Sequence, residues 1–148
     1  IIHFACHGFL DERAPLRSAL VLTPDDNLQE DGFLQAREVY QLRLKADLVV
    51  LSACQTGRGR LENGEGILGL PRIFFYAGAR STISSLWKIS DQSAYLLMRD
   101  LYRFLAGGND EAQALRQAKL RMLRSKFSHP FYWAGFVLNG DHRSRWKQ

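Results

Sequence analysis

Asp47-Leu48-Val49-Val50-Leu51-Ser52-Ala53-Cys54 is an apolar run that stops on a cysteine, before the loop Gln55-Thr56-Gly57. A second run, Ile1-Ile2-His3-Phe4-Ala5-Cys6-His7-Gly8, stops on a histidine followed by glycine. Short β-rich apolar runs bounded by glycine read as buried strands of a parallel sheet. Ligands of open α/β sheets bind outside the carboxyl ends of the strands, where His7 and Cys54 would both sit. A cysteine there is a potential nucleophile, and a histidine beside it can handle its proton. The two runs therefore suggest a reaction as well as a fold.

Outward from these runs, strands alternate with helices. Residues 1–6 form the first strand. Residues 18–23 read as one arm of an excursion that turns at Pro24-Asp25-Asp26-Asn27. A helix is predicted over 35–44, with Ala36, Val39 and Leu42 facing inward. The second core strand covers 46–53, and a Gly-rich loop occupies 57–66. A helix over 67–76 tolerates Pro71 in its first turn. Gly78-Ala79-Arg80 leads into a third strand over 81–89. Ser90 or Asp91 caps a helix running to Leu105, with Ala94, Met98, Leu101 and Leu105 at helical spacing. Gly107-Gly108-Asn109 stops it, and Asp110 caps another helix to near Arg124, with Leu115, Ala118 and Met122 inward. A fourth strand covers 132–138. Alternation of this kind predicts an α/β fold with a mostly parallel sheet.

The chain has 148 residues, 46% of them hydrophobic, which suits one domain with an ordinary core. No apolar stretch approaches the ~20 residues needed to cross a bilayer, so no membrane partner is expected. No signal peptide is visible. The chain opens on a strand without an initiator Met and reads as a fragment. Two cysteines, Cys6 and Cys54, are too few for a disulfide scaffold and fit a reducing cytoplasmic setting.

Net charge is +5, unevenly spread. Residues 1–66 carry 7 basic and 10 acidic side chains, and residues 67–148 carry 13 and 5. The basic excess, including Arg116, Lys119, Arg121 and Arg124, reads as a solvated helix face. No basic stretch is interleaved with stacking aromatics and no nucleic-acid motif is present, so no nucleic-acid partner is expected.

Other chemistries fit less well. A dinucleotide fingerprint starting at Gly57 needs glycine where Glu62 stands, and a phosphate-binding loop spanning Gly59 and Gly64 needs lysine where Glu65 stands. The loop reads instead as a mobile rim beside Cys54. His3 and His7, at i and i+4 of one strand, would share a face that Cys54 could approach. No Cys-x-x-Cys or His-Glu-x-x-His spacing supports a metal, and His3 reads as a hydrogen-bonded core histidine. His129-Pro130 and Tyr132-Trp133 read as a rigid turn with aromatic packing, and Trp87 as packing. Asp91 is either a helix cap or a cleft carboxylate that selects a basic substrate residue.

Several motifs together resemble the CHAT domain. They are His-Phe-Ala-Cys-His-Gly at 3–8, Leu-Ser-Ala-Cys-Gln-Thr-Gly at 51–57 and Gly-Glu-Gly-Ile-Leu-Gly-Leu-Pro-Arg at 64–72. Ala-Gly-Ala-Arg-Ser-Thr-Ile-Ser-Ser-Leu-Trp-Lys-Ile-Ser-Asp at 77–91 and His-Pro-Phe-Tyr-Trp-Ala-Gly-Phe-Val-Leu-Asn-Gly at 129–140 complete the set. CHAT domains are caspase-like modules often associated with tetratricopeptide repeats.

The resemblance implies a three-layer caspase–hemoglobinase-like sandwich. It makes residues 1–148 the C-terminal portion of a single CHAT domain whose first strand–helix units are missing. It implies a cysteine endopeptidase acting on a protein or peptide substrate. Cys54 is then the nucleophile and His7 the proton donor to the leaving amine. The backbone N–H groups of Gly8 and Cys54 form the oxyanion hole. Ser52 lines the pocket for the residue before the scissile bond; Asp91, in its reading as a cleft carboxylate, would be a second substrate-binding residue, independent of the resemblance. No cofactor or metal is needed. An upstream tetratricopeptide-repeat or nucleotide-binding regulatory domain is the expected partner in the same polypeptide. The alternative is a non-catalytic interaction module on the same fold, since fold alone does not establish activity.

Overall fold

The computed structural model describes residues 1–11, 13–24, 31–52, 60–61 and 67–141. β1 (Ile2–Phe4) runs parallel to β5 (Ala46–Leu51), in register from Ile2↔Val49 to Phe4↔Leu51. β5 in turn runs parallel to β8 (Ala79–Ser85), with Leu48 opposite Ser81 and Leu51 opposite Ser84. The fourth strand, β9 (Phe136–Gly140), is antiparallel to β8, so the sheet is mostly parallel in the order β1-β5-β8-β9.

The unbroken apolar run of β5 follows from its central position, because both of its faces are covered. Leu48 and Val50 join Ile83 in a core with α3 (Asp91–Ala106) and α4 (Glu111–Leu123). Val49 and Leu51 join a second core with α1 (Ala36–Val39) and α2 (Leu70–Tyr76). Helices on both faces of a sheet make the three layers expected of a caspase-like sandwich.

Local chemistry sets the helix ends. Ser90 caps α3, its Oγ accepting the N–H of Ser93, and Leu97, Met98, Leu101 and Leu105 are buried at helical spacing. α3 ends where Gly108 takes φ +85. There Asn109 N–H donates to Phe104 O and Gly108 N–H to Leu105 O, which satisfies carbonyls the last turn would otherwise orphan. Asp110 caps α4 by accepting the N–H of Gln113 at 2.8 Å. The buried carboxylate of Asp100 on α3 holds Arg99 at 3.2 Å and Arg121 of α4 at 3.3 Å, tying the two helices.

Several predicted boundaries move, most of them where a distant segment supplies hydrogen-bond partners. The first strand stops at Phe4. The chain turns at Ala5 and Cys6, and β2 (His7–Phe9) joins a separate antiparallel sheet with β3 (Ala19–Val21) and β4 (Phe33–Gln35). The helix predicted over 35–44 shrinks to α1: at its start Gln35 pairs with β3 and forms a capping box with Glu38, and at its end the chain leaves the helix after Tyr40, with Leu42 exposed and Leu44 N–H donating to Ala77 O. Ile67–Leu68 (β7) pairs with Arg60–Leu61 (β6), so α2 begins only at Leu70, with Pro71 in its first turn as expected. β8 starts at Ala79 and ends at Ser85, before a bend. The last strand starts at Phe136 because Pro130–Tyr132 form a 3-10 turn.

Candidate active site

The carboxyl ends of β1 and β5 lie side by side. Beyond the last paired residues, Phe4 and Leu51, the N–H of Ser52 donates to Phe4 O at 3.0 Å. Ser52 is half-buried there. Three residues beyond Phe4, His7 opens β2 opposite Val21 and is exposed. Asp91 lies past the carboxyl end of β8, the same end of the parallel sheet. It is exposed in the first turn of α3, whose cap is Ser90. Cys54, Glu62 and Glu65 lie outside the described residues, as do Gly57 and Gly59.

The small sheet orients the groups around His7. Leu22 N–H donates to Gly32 O, and Ala36 N–H to Ser18 O. Even-numbered residues of β3 therefore turn their backbone groups toward β4, and Ala19 and Val21 turn theirs toward β2. His7 and Phe9 are the residues that exchange hydrogen bonds with β3. The N–H of Gly8, opposite Leu20, consequently points away from β3, out from the other edge of β2. Side chains alternate as well. Leu20 is fully buried and Leu34 packs beneath it, so Leu20, Leu34 and Gly8 form the inner face. His7, Phe9, Val21 and Phe33 share the outer face.

Cys6 is half-buried and packs against the α1–α2 core, the side of the sheet away from α3 and α4. Burial raises its thiol pKa, with a partly offsetting hydrogen bond from the backbone of Val21. His3 faces α3, its Nδ1 2.9 Å from the hydroxyl of Tyr102. Desolvation holds the His3 imidazole below its usual range and pushes the Tyr102 hydroxyl up to about 12. His3 is hydrogen-bonded, as expected, but at an exposed edge instead of in the core. His3 and His7 stand on different sheets, so the expectation of a shared strand face fails. No group of three potential metal ligands exists among the described residues.

The aromatic turn packs as expected. Trp87 stacks on Phe131 and donates its Nε1–H to Phe131 O at 2.9 Å, while Trp133 donates to Ser128 O. Sequence patterning did not single out Phe9, Arg17 or Phe33. They line a groove of about 470 Å³ with Asp11, Ala19 and Gln35, on the face that carries His7. The available signal was Phe9 two residues after His7, which strand alternation turns to the same side.

Comparison with known proteins bears on this arrangement. The model of the CHAT domain family matches residues 1–141. Tetratricopeptide repeat protein 28 of Mus musculus is 36% identical over 109 residues, covering 73% of this chain and 4% of the mouse protein. Tetratricopeptide repeat protein 28 of Homo sapiens is 35% identical over 113 residues, covering 76% of this chain and 4% of the human protein. The chain spans a small fraction of the length of these relatives. No described helix is long and apolar enough to cross a membrane.

Proposed function

We propose that this chain, which belongs to the CHAT domain family, is the C-terminal portion of a cysteine endopeptidase domain that cleaves protein substrates through Cys54 and His7. The observation that carries this reading is the register Phe4↔Leu51. His7 and Cys54 each follow three residues after one member of that pair, so three residues of chain, about 10 Å at full stretch, tether each of them to the same rung.

In the proposed reaction the Cys54 thiolate attacks the scissile carbonyl carbon, and the N–H groups of Gly8 and Cys54 hold the oxyanion. The outward N–H of Gly8 suits that role. The C–N bond then breaks and the His7 imidazolium gives its proton to the departing amine. Water attacks the thioester, His7 takes its proton, and the acid leaves as the Cys54 thiolate is restored. Ser52 borders the pocket for the residue before the cleaved bond, and Asp91 adds a carboxylate on the rim. The reaction requires a reduced thiol, in keeping with a cytoplasmic setting. The relatives' name supports an upstream tetratricopeptide-repeat regulatory segment.

The test is limiting alkylation of the full-length protein, with the adduct mapped by mass spectrometry. The label is expected on Cys54 before Cys6, whose burial raises its pKa. Cys54→Ala and His7→Ala abolish cleavage, and Cys6→Ser largely preserves it. Preferential labelling of Cys6, or cleavage surviving Cys54→Ala, overturns the assignment. A folded protein that cleaves nothing favours the non-catalytic interaction module.

A further inference from the structure

The groove on the outer face of the β2–β3–β4 sheet, about 470 Å³, is within the size range of a ligand site and has room for more than one peptide side chain. Its two aromatic walls, Phe9 and Phe33, are 52% and 44% exposed and line one groove together. The sheet register orders its parts relative to His7. His7, Val21 and Phe33 form one rung, and Phe9, Ala19 and Gln35 the next, about 7 Å farther along. Arg17 and Asp11 lie beyond that second rung. An extended peptide advances about 3.3–3.4 Å per residue, so two substrate residues span one step of this spacing.

The charges at the far end are not equivalent. The Asp11 carboxylate accepts the backbone N–H groups of Arg13 and Ala14, each at 2.9 Å, and so is committed to the turn. Arg17 is exposed and has no ion-pair partner among the described residues. The groove therefore offers an apolar wall near His7 and the exposed Arg17 guanidinium farther out.

We propose that this groove is the subsite for the departing segment of the substrate, taking a large apolar side chain within the first two residues after the cleaved bond and an acidic residue beyond it. The proposal rests on the peptidase reading for His7. His7 gives its proton to the departing amine, and the groove lies on the sheet that His7 itself opens. The new amino terminus is thus released along Phe9 and Phe33 toward Arg17.

The experiment uses the full-length protein and an internally quenched peptide library varied at the four positions after the cleaved bond. In parallel, fluorescent apolar–acidic and apolar–basic peptides are titrated against the full-length Cys54→Ala protein by anisotropy, which requires no turnover. Wild type is expected to prefer Leu, Met or Phe in the first two positions and Asp or Glu after them. Phe9→Ala and Phe33→Ala each lower kcat/KM for apolar peptides about 10-fold and weaken binding in parallel. Arg17→Glu reverses the acidic preference toward Lys. Both rings are exposed, so these truncations open no core cavity. Cleavage with preferences unchanged in all three variants overturns the groove and leaves the peptidase reading standing. Binding by Cys54→Ala that depends on Phe9 and Arg17, without cleavage by wild type, supports the groove as a peptide site and removes the peptidase reading. Neither cleavage nor binding overturns the groove.

Discussion

Gly78 joins α2 to β8 at φ +107, and a Cβ built on it would stand 2.4 Å from the carbonyl oxygen of Leu44. That oxygen belongs to the segment leading into β5, and Leu44 N–H donates to Ala77 O at 2.6 Å. The segments that feed β5 and β8 are clasped at this point, with no flexible side chain to yield. Gly78→Ala therefore carries two costs. A side chain at positive φ costs about 1–3 kcal/mol, and moving packed backbone costs about another 1–3 kcal/mol. The sum, about 4 kcal/mol, is a large part of a typical total of about 5–15 kcal/mol. Gly108→Ala supplies the control: φ is +85 there as well, but nothing lies within 4 Å. It should lose only the conformational part, about 2 kcal/mol. At about 2–4 °C per kcal/mol for a chain of this size, Tm should fall by about 8–16 °C for Gly78→Ala and about 4–8 °C for Gly108→Ala. Thermal and urea unfolding followed by circular dichroism measure both. Equal losses in the two variants would refute the steric argument, since they differ chiefly in what the new methyl meets.

Two further outcomes are expected. His3 has a folded-state pKa below its usual 6.5, so the unfolded chain takes up the proton first as pH falls. Stability present above pH 6.5 is then lost as pH falls through the depressed folded value. Urea midpoints at about pH 7.5 and about pH 5 should differ less in His3→Gln than in wild type, and an unchanged difference removes His3 from the pH response. Asp110→Ala deletes the cap that accepts Gln113 N–H at 2.8 Å and should cost about 1 kcal/mol. Asp110→Asn should retain most of that stability in the same unfolding assay, and a loss equal to that of alanine would argue against the cap.

Where the deciding interaction lies within a few residues, the amino-acid sequence was enough. The caps Ser90 and Asp110 bond N–H groups three residues away, and the inward positions of α3 and α4 follow from helical spacing. The unbroken apolar run of β5 announced a strand covered on both faces. The motifs at 3–8 and 51–57 pointed to the family without any tertiary information. Pairing between distant segments decided the rest. Residues 7–9 are too few to show a period, and they became a strand of a second sheet only because Ala19–Val21 offered a matching edge. That pairing separated His7 from His3, turned the N–H of Gly8 outward and set Phe9 beside His7. Likewise, β4 took Gln35, the first residue assigned locally to a helix, and β9 joined the sheet antiparallel. A propensity amounts to tenths of a kcal/mol per residue, whereas backbone groups left unpaired on burial cost more than that each. The available partner strand therefore overrode the local preference, and only the tertiary structure identifies that partner.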